Sequence, residues 1–296
     1  MKLDAEHSSG LKPPCTNAPR CWQWPTILSL DAPIVVMLWQ SAIAHSALAR
    51  MGAAEVTVLG CSVWLAYAAD RWIEGCRLLP EKIQTHRHQF YHRWRWPIAA
   101  VWIAVLILDF GVALQSLPSR EFRAGGLMLF PVAAYLLSHQ FVHRIHRWRA
   151  PKEVCVAGLL GGGASLFPAC HPEAYVPGIV ISTSLFVLLC FSNCTLISLW
   201  ECDVDRSQGQ TSLALQFVRA PALIRALPWA LFLLSATAWT AFGPKVGAAL
   251  AFSAASSLLL GLIDHAEVRI GRIPARVLAD VALMTPLIPL LARILA

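Results

Sequence analysis

The sequence predicts an all-α, polytopic membrane protein of nine transmembrane helices, and three observations carry that prediction. Of 296 residues, 57% are hydrophobic and 14% charged, where a soluble domain carries roughly a quarter charged residues; mean hydropathy is +0.57. Apolar stretches long enough to cross a bilayer, about 17 to 25 residues, recur nine times. The basic residues then alternate between loops. With helix-end residues counted with the nearer loop, 19 of the 24 Lys and Arg fall on the N-terminal tail and the loops after segments 2, 4, 6 and 8. By the positive-inside rule that set is cytoplasmic, and one missed helix would scramble the split.

In chain order, residues 1–25 are polar and hold Pro13, Pro14 and Pro19 with no apolar core. They read as a flexible cytoplasmic tail and not as a signal peptide, ahead of a single membrane domain over 26–296. Segment 1, 27–49, is interrupted by Asp31 and Pro33. Segment 2, 52–69, runs straight into Asp70. Segments 3 and 4, 97–116 and 123–142, are plain apolar spans. Segment 5, 153–170, is short and rich in glycine; segment 6, 176–200, ends against Glu201. Segments 7, 8 and 9 cover 222–241, 246–264 and 276–295. The chain is thus expected as a multi-pass protein of the inner or plasma membrane, its N-terminus and both acidic clusters cytoplasmic. The net charge of +7 follows from the positive-inside bias and contact with anionic membrane lipids. It calls for no nucleic acid. Nine cysteines show no CxxC pair or zinc spacing.

The chemistry concentrates at the ends of segments 2 and 6. Asp70 and Glu74 are four residues apart, as are Glu201 and Asp205, so on a continued helix each pair shares a face. An ionised carboxylate at the edge of hydrocarbon is costly unless paired or bound to a cation. Oxygen-only ligands suit Mg²⁺, which takes further ligands from water and substrate phosphates, and helix C-termini attract cations. Two such pairs facing each other would hold metal ions and a diphosphate between them. Arg71, Arg206 and the basic loop 143–152, with Arg147 and Lys152, would supply donors to its oxygens. For any one of these, the alternative is an ion pair or a lipid headgroup contact.

These residues resemble the motifs of the UbiA-type membrane prenyltransferases, which have nine transmembrane helices and two aspartate-rich motifs, NxxxDxxxD after helix 2 and DxxxD after helix 6. Here the first reads Ala66-x-x-x-Asp70-x-x-x-Glu74 and the second Glu201-x-x-x-Asp205, continuing as Asp205-Arg206-x-x-Gly209-x-Thr211-Ser212-Leu213. Arg147 and Lys152 before the glycines of segment 5 look like the family's basic pair. The resemblance spans segments 2 to 6 and the following loop. It implies an enzyme that transfers a prenyl group from a prenyl diphosphate to a lipophilic or aromatic acceptor, with Asp70 and Asp205 catalytic. Mg²⁺ would be held by Asp70, Glu74, Glu201 and Asp205, and the diphosphate bound by Arg71, Arg147, Lys152 and Arg206. The chain departs from the pattern at Ala66, which cannot ligate a metal, and at Glu74 and Glu201, where the family has aspartate.

Those departures motivate an alternative, a UbiA-like protein that has lost turnover and binds a lipid or a partner. A transporter is disfavoured because the acids gather at helix ends and not near the midplane. A haem protein using His139, His143 and His146 lacks a matching histidine pair, and the long motif of the CDP-alcohol phosphotransferases is missing.

Overall fold

Helix follows helix along the whole path of the computed structural model, which describes residues 18–77, 85–138, 151–207, 212–217, 220–241 and 244–289. After a 3₁₀ turn at Cys21–Gln23 come α1 (Trp24–Ile27), α2 (Asp31–Ser46), α3 (Ala53–Arg77), α4 (His86–Arg93), α5 (Arg95–Ser116), α6 (Ser119–Leu137) and α7 (Lys152–Cys170). Then follow α8 (Val176–Trp200), α9 (Cys202–Ser207), α10 (Leu213–Gln216), α11 (Ala220–Ala241), α12 (Pro244–Ile270) and α13 (Arg272–Ala282). Helical structure begins at Cys21, inside the stretch expected as a tail; residues 1–17 lie outside the described set.

Each of the nine apolar segments contains a helix, but the expectation of nine spanning helices is not met among the described residues. Five are long and apolar enough to cross a membrane: α5, α7, α8, α11 and α12 without its first two residues. Helix α1 with its preceding turn, taken together with α2, is also long and apolar enough, but the pair is bent by 76° and is either a broken span or a re-entrant loop. The shortfall has physical causes. Helix α3 is 25 residues long but holds Glu55, Asp70, Arg71, Glu74 and Arg77. Helix α6 opens on Arg120, Glu121 and Arg123. Helix α13 has 11 residues, about 16 Å at 1.5 Å each, half the hydrocarbon thickness.

The break inside segment 1 follows from its sequence. Leu30 N–H reaches back to Pro25 O at 2.8 Å, closing α1. Ser29 then takes a left-handed φ of 57°. Asp31 restarts the chain as α2, its Oδ1 accepting from Ala32 N–H at 3.0 Å, and Pro33 falls in the first turn, where no donor is needed. Trp64 Nε1 donates to Leu28 O at 3.1 Å and so tethers the break to α3.

The core lies between α2 and α8. Trp39 and Phe186 are fully buried and stack at 4.9 Å, and Trp39 Nε1 donates to Leu283 O at 2.9 Å, holding the end of α13. Polar pairs join other helices, Ser235 to Ser253 at 3.0 Å and Ser256 to Thr285 at 2.7 Å, as suits a bundle where hydrocarbon offers no alternative partner. Half of the most apolar window of α8 is buried but only 6% of that of α5. Ile107, Leu108 and Phe130 point outward, each at least 66% exposed. An apolar outer surface of this extent belongs in lipid, and the molecule is an integral membrane protein.

Candidate functional site

A cavity of about 660 Å³ runs between α2, α3, α5, α6, α7, α8 and α13. Its deep walls are apolar, with Leu106, Phe110, Leu129 and Phe167 among them; its other end is densely charged. Helix α3 carries Asp70, Arg71 and Glu74 into that end, and the turn after α8 carries Glu201.

The short helix α4 completes the first acidic motif. Thr85 caps it, its Oγ1 accepting from His88 N–H at 3.4 Å, and its hydroxyl meets His88 Nδ1 at 2.9 Å. His88 is 1% exposed. Because a carboxylate only accepts, His88 Nε2 donates to Glu74 Oε2, at 3.2 Å, and the Thr85 hydroxyl donates to Nδ1. Arg71 Nη1 donates to the same Glu74 oxygen at 3.1 Å. Burial, with Arg87 and Arg71 adding to it, holds the imidazole at about 4 against the opposing pull of Glu74. His88 is therefore neutral.

The second motif is closed by a residue far along the chain. Arg276 of α13 sets Nη1 between the two oxygens of Glu201, at 2.5 and 2.7 Å. Burial alone would raise the Glu201 carboxyl; Arg276, then Arg87 and Arg71, outweigh it and hold the group at about 2. Arg87 of α4 lies between the motifs. Burial, then the like charges of Arg276 and Arg71, lower it to about 9 despite Glu201 and Glu74. Among the described residues neither Arg87 Nε nor Arg276 Nε has a hydrogen-bond partner.

The structure thus brings Asp70, Arg71, Glu74, Lys152 and Glu201 to one cavity. Arg206 is exposed on α9 and is not part of the cavity wall. Arg147 and the side chain of Asp205 lie outside the described residues, as do Gly209 and Thr211. Asp203 pairs with Arg272 at 3.2 Å on the exposed side. Among the described residues no group of three or more His, Cys, Asp or Glu is arranged to hold a metal ion.

Sequence reasoning missed Arg276, Arg87 and His88 as residues of the site. It also missed Asp31, Asp109, Glu153 and Asp280 as cavity residues. Asp109 accepts from Ser62 Oγ at 2.8 Å. It lies 14 residues into α5, roughly 21 Å from its start, so the acids are not confined to helix ends. Glu153 is 1% exposed and accepts from Ser198 Oγ at 2.8 Å and Leu213 N–H at 3.1 Å, tying α7 to α8 and α10. A lone acid inside an apolar segment was a usable signal for Asp109 and Asp280.

No family model matches this chain, and no curated protein matches it in sequence. Among solved structures it is similar to the apo structure of a UbiA homolog from Aeropyrum pernix K1, at 16% identity and a TM-score of 0.56, over 88% of this chain and 98% of that one. At that identity the likeness speaks to the fold, and the fold of this chain is UbiA-like.

Proposed function

We propose that the protein is a divergent UbiA-type prenyltransferase, which moves a prenyl group from a prenyl diphosphate to an acceptor inside the membrane. The observation that carries this reading is the polarity of one cavity, densely charged at the end of Asp70, Arg71, Glu74 and Glu201 and lined mostly by apolar side chains along its depth, where Asp109 is the exception. A prenyl diphosphate has the same polarity. We place the charged end at the cytoplasmic face, in keeping with the distribution of Lys and Arg.

The charges of the cavity bear on how the diphosphate binds. Seven carboxyl groups and four basic side chains line it over its whole length, so carboxyls outnumber cations and an anionic substrate is better held when it brings cations with it. Mg²⁺ fits this donor set in chemistry, needing one or two carboxylates when phosphates and water complete its shell. Asp70, Glu74, Glu201 and Asp205 are its candidate ligands, and bound there it would offset the charge of the leaving diphosphate. Arg71, Arg87, Lys152 and Arg276 bind diphosphate oxygens, with Arg147 and Arg206 the further candidates of the flanking loops. Their charge favours the state in which the allylic C–O bond has ionised. The apolar wall seats the isoprenoid and keeps water from the carbocation.

A second reading is favoured by Ala66 and by the ion pairs that already engage Glu74 and Glu201. In it the same cavity binds a prenyl lipid without turnover. Purified protein given labelled geranyl diphosphate, a panel of acceptors and MgCl₂ separates the two. Transfer predicts diphosphate release that EDTA abolishes and that Asp70→Asn lowers about 100-fold or more, the scale of losing preorganised charge stabilisation. Binding without release supports the second reading, and binding indifferent to both Asp70→Asn and EDTA sinks the first.

A further inference from the structure

The elbow between α4 and α5 presents Arg93, Trp94, Arg95 and Trp96 in succession, all exposed, and none of them lines the cavity. Trp94 and Trp96 are 48% and 72% exposed. The Arg93 guanidinium lies 6.0 Å from the centre of the Trp94 ring, and that of Arg95 lies 5.9 Å from the Trp96 ring. Contacts of this cation–π kind leave the guanidinium N–H groups able to donate. No acid occurs in the sequence from Thr85 to Leu108. Among the described residues neither arginine has a carboxylate counter-ion.

The place of the elbow in the fold determines what those cations face. Helix α5 begins at Arg95 and runs 22 residues, about 33 Å and long enough to cross the hydrocarbon. It is the least buried of the five spanning helices. Arg95 and Trp96 therefore stand at a membrane–water interface, where indole rings anchor and anionic headgroups meet basic side chains. Trp96, Ala100, Ala104 and Leu108 follow at four-residue spacing, all exposed, so an apolar stripe winds from the elbow down α5. Positive charge above and an apolar stripe below complement a phospholipid whose headgroup is net negative. A zwitterionic headgroup would bring its own ammonium up to two guanidinium groups.

The elbow is also tied to the charged end of the cavity. Trp72 of α3, two residues from both Asp70 and Glu74, donates from Nε1 to Arg95 O at 2.9 Å. His92 Nδ1 donates to Gly75 O at 2.9 Å, one turn on from the His88 that reaches Glu74. Phe90 meets Trp24 edge-on at 5.9 Å, and the hydroxyls of Tyr91 and Ser29 meet at 3.2 Å. Helix α4 is thus held by α1, by α3 and by the turn before α2, and its last residue is Arg93. We propose that the elbow binds one anionic phospholipid, its phosphate on Arg93 and Arg95 and an acyl chain along Ala100, Ala104 and Leu108. Bound there, the lipid braces α4, the helix that brings Arg87 to the cavity and His88 to Glu74.

The test places full-length protein in nanodiscs of equal parts dioleoylphosphatidylglycerol and dioleoylphosphatidylcholine and identifies the retained lipid by native mass spectrometry. The wild type keeps one phosphatidylglycerol in about 30-fold preference, the scale of two arginines at an anionic surface. Arg93→Gln combined with Arg95→Gln brings the preference to within about threefold. Arg225→Gln combined with Arg269→Gln, which removes the same charge at exposed positions of α11 and α12, leaves it intact. In the wild type, phosphatidylglycerol slows amide hydrogen exchange over residues 86–93 about threefold or more relative to phosphatidylcholine alone. The Arg93 and Arg95 double variant loses that difference. Equal retention of the two lipids, equal loss of preference in both double variants, or α4 exchange indifferent to phosphatidylglycerol overturns the proposal. So does displacement of the retained lipid by inorganic phosphate, the mark of a site for a free anion.

Discussion

Two buried contacts make this protein sensitive to acid, and each has its own pH window. Glu201 sits at about 2 in the fold against an ordinary 4.5. Its folded value is depressed, so its contribution is complete above about 4.5 and is lost as pH falls toward 2. His88 sits at about 4 against 6.5. The unfolded chain takes up that proton first, so stability drains away between pH 6.5 and 4. Each contribution amounts to at most about 3 to 4 kcal/mol. Thermal unfolding followed by circular dichroism should therefore show a melting temperature that drops from pH 7 to pH 4. In His88→Gln most of that slope should vanish; a slope unchanged by the substitution would refute the assignment. Arg276→Gln leaves Glu201 buried without its cation and should lose about 1–3 kcal/mol at pH 7. It should also flatten the response below pH 4.5.

Between helices, two glycines make opposite predictions. A Cβ on Gly178 would lie 2.1 Å from Ser46 O and 2.8 Å from Ser46 C, both backbone atoms at the end of α2. Gly178→Ala should therefore push α8 off α2 and cost about 2 kcal/mol or more. Around Gly158 of α7 a Cβ meets nothing within 4 Å. There alanine should be neutral or stabilising by up to about 1 kcal/mol, through helix propensity. Melting temperatures of the two variants in one detergent check both signs. The glycine-rich character of α7 was legible in the sequence, yet which of its glycines packs was not. Gly161 meets Val187 of α8, whereas Gly158 faces open space, and that difference is set by how the helices cross.

For the whole molecule, the cavity joins chemistry to chain length. Gly126 of α6 lines it, and a Cβ there meets nothing within 4 Å. Helix α6 reaches the charged end near Tyr135, which lies by Asp70 and Arg71, so Gly126 sits about 13 Å deeper. Gly126→Phe should block the depth and spare the mouth. Geranylgeranyl diphosphate should then bind about tenfold or more weakly while geranyl diphosphate is little changed, as competition binding would show. Equal losses for both would argue against the isoprenoid lying along this wall.

Composition and patterning determined that the chain is helical and lives in a membrane, because apolar runs of spanning length admit few other solutions. Spacing alone put Asp70 with Glu74 on one face, since contacts four residues apart are local. The tertiary structure decided what those residues meet. Glu201 finds Arg276 75 positions later, and Asp280 finds Asn193 87 positions earlier. Such pairings depend on which helices become neighbours, and no local period in a sequence encodes that.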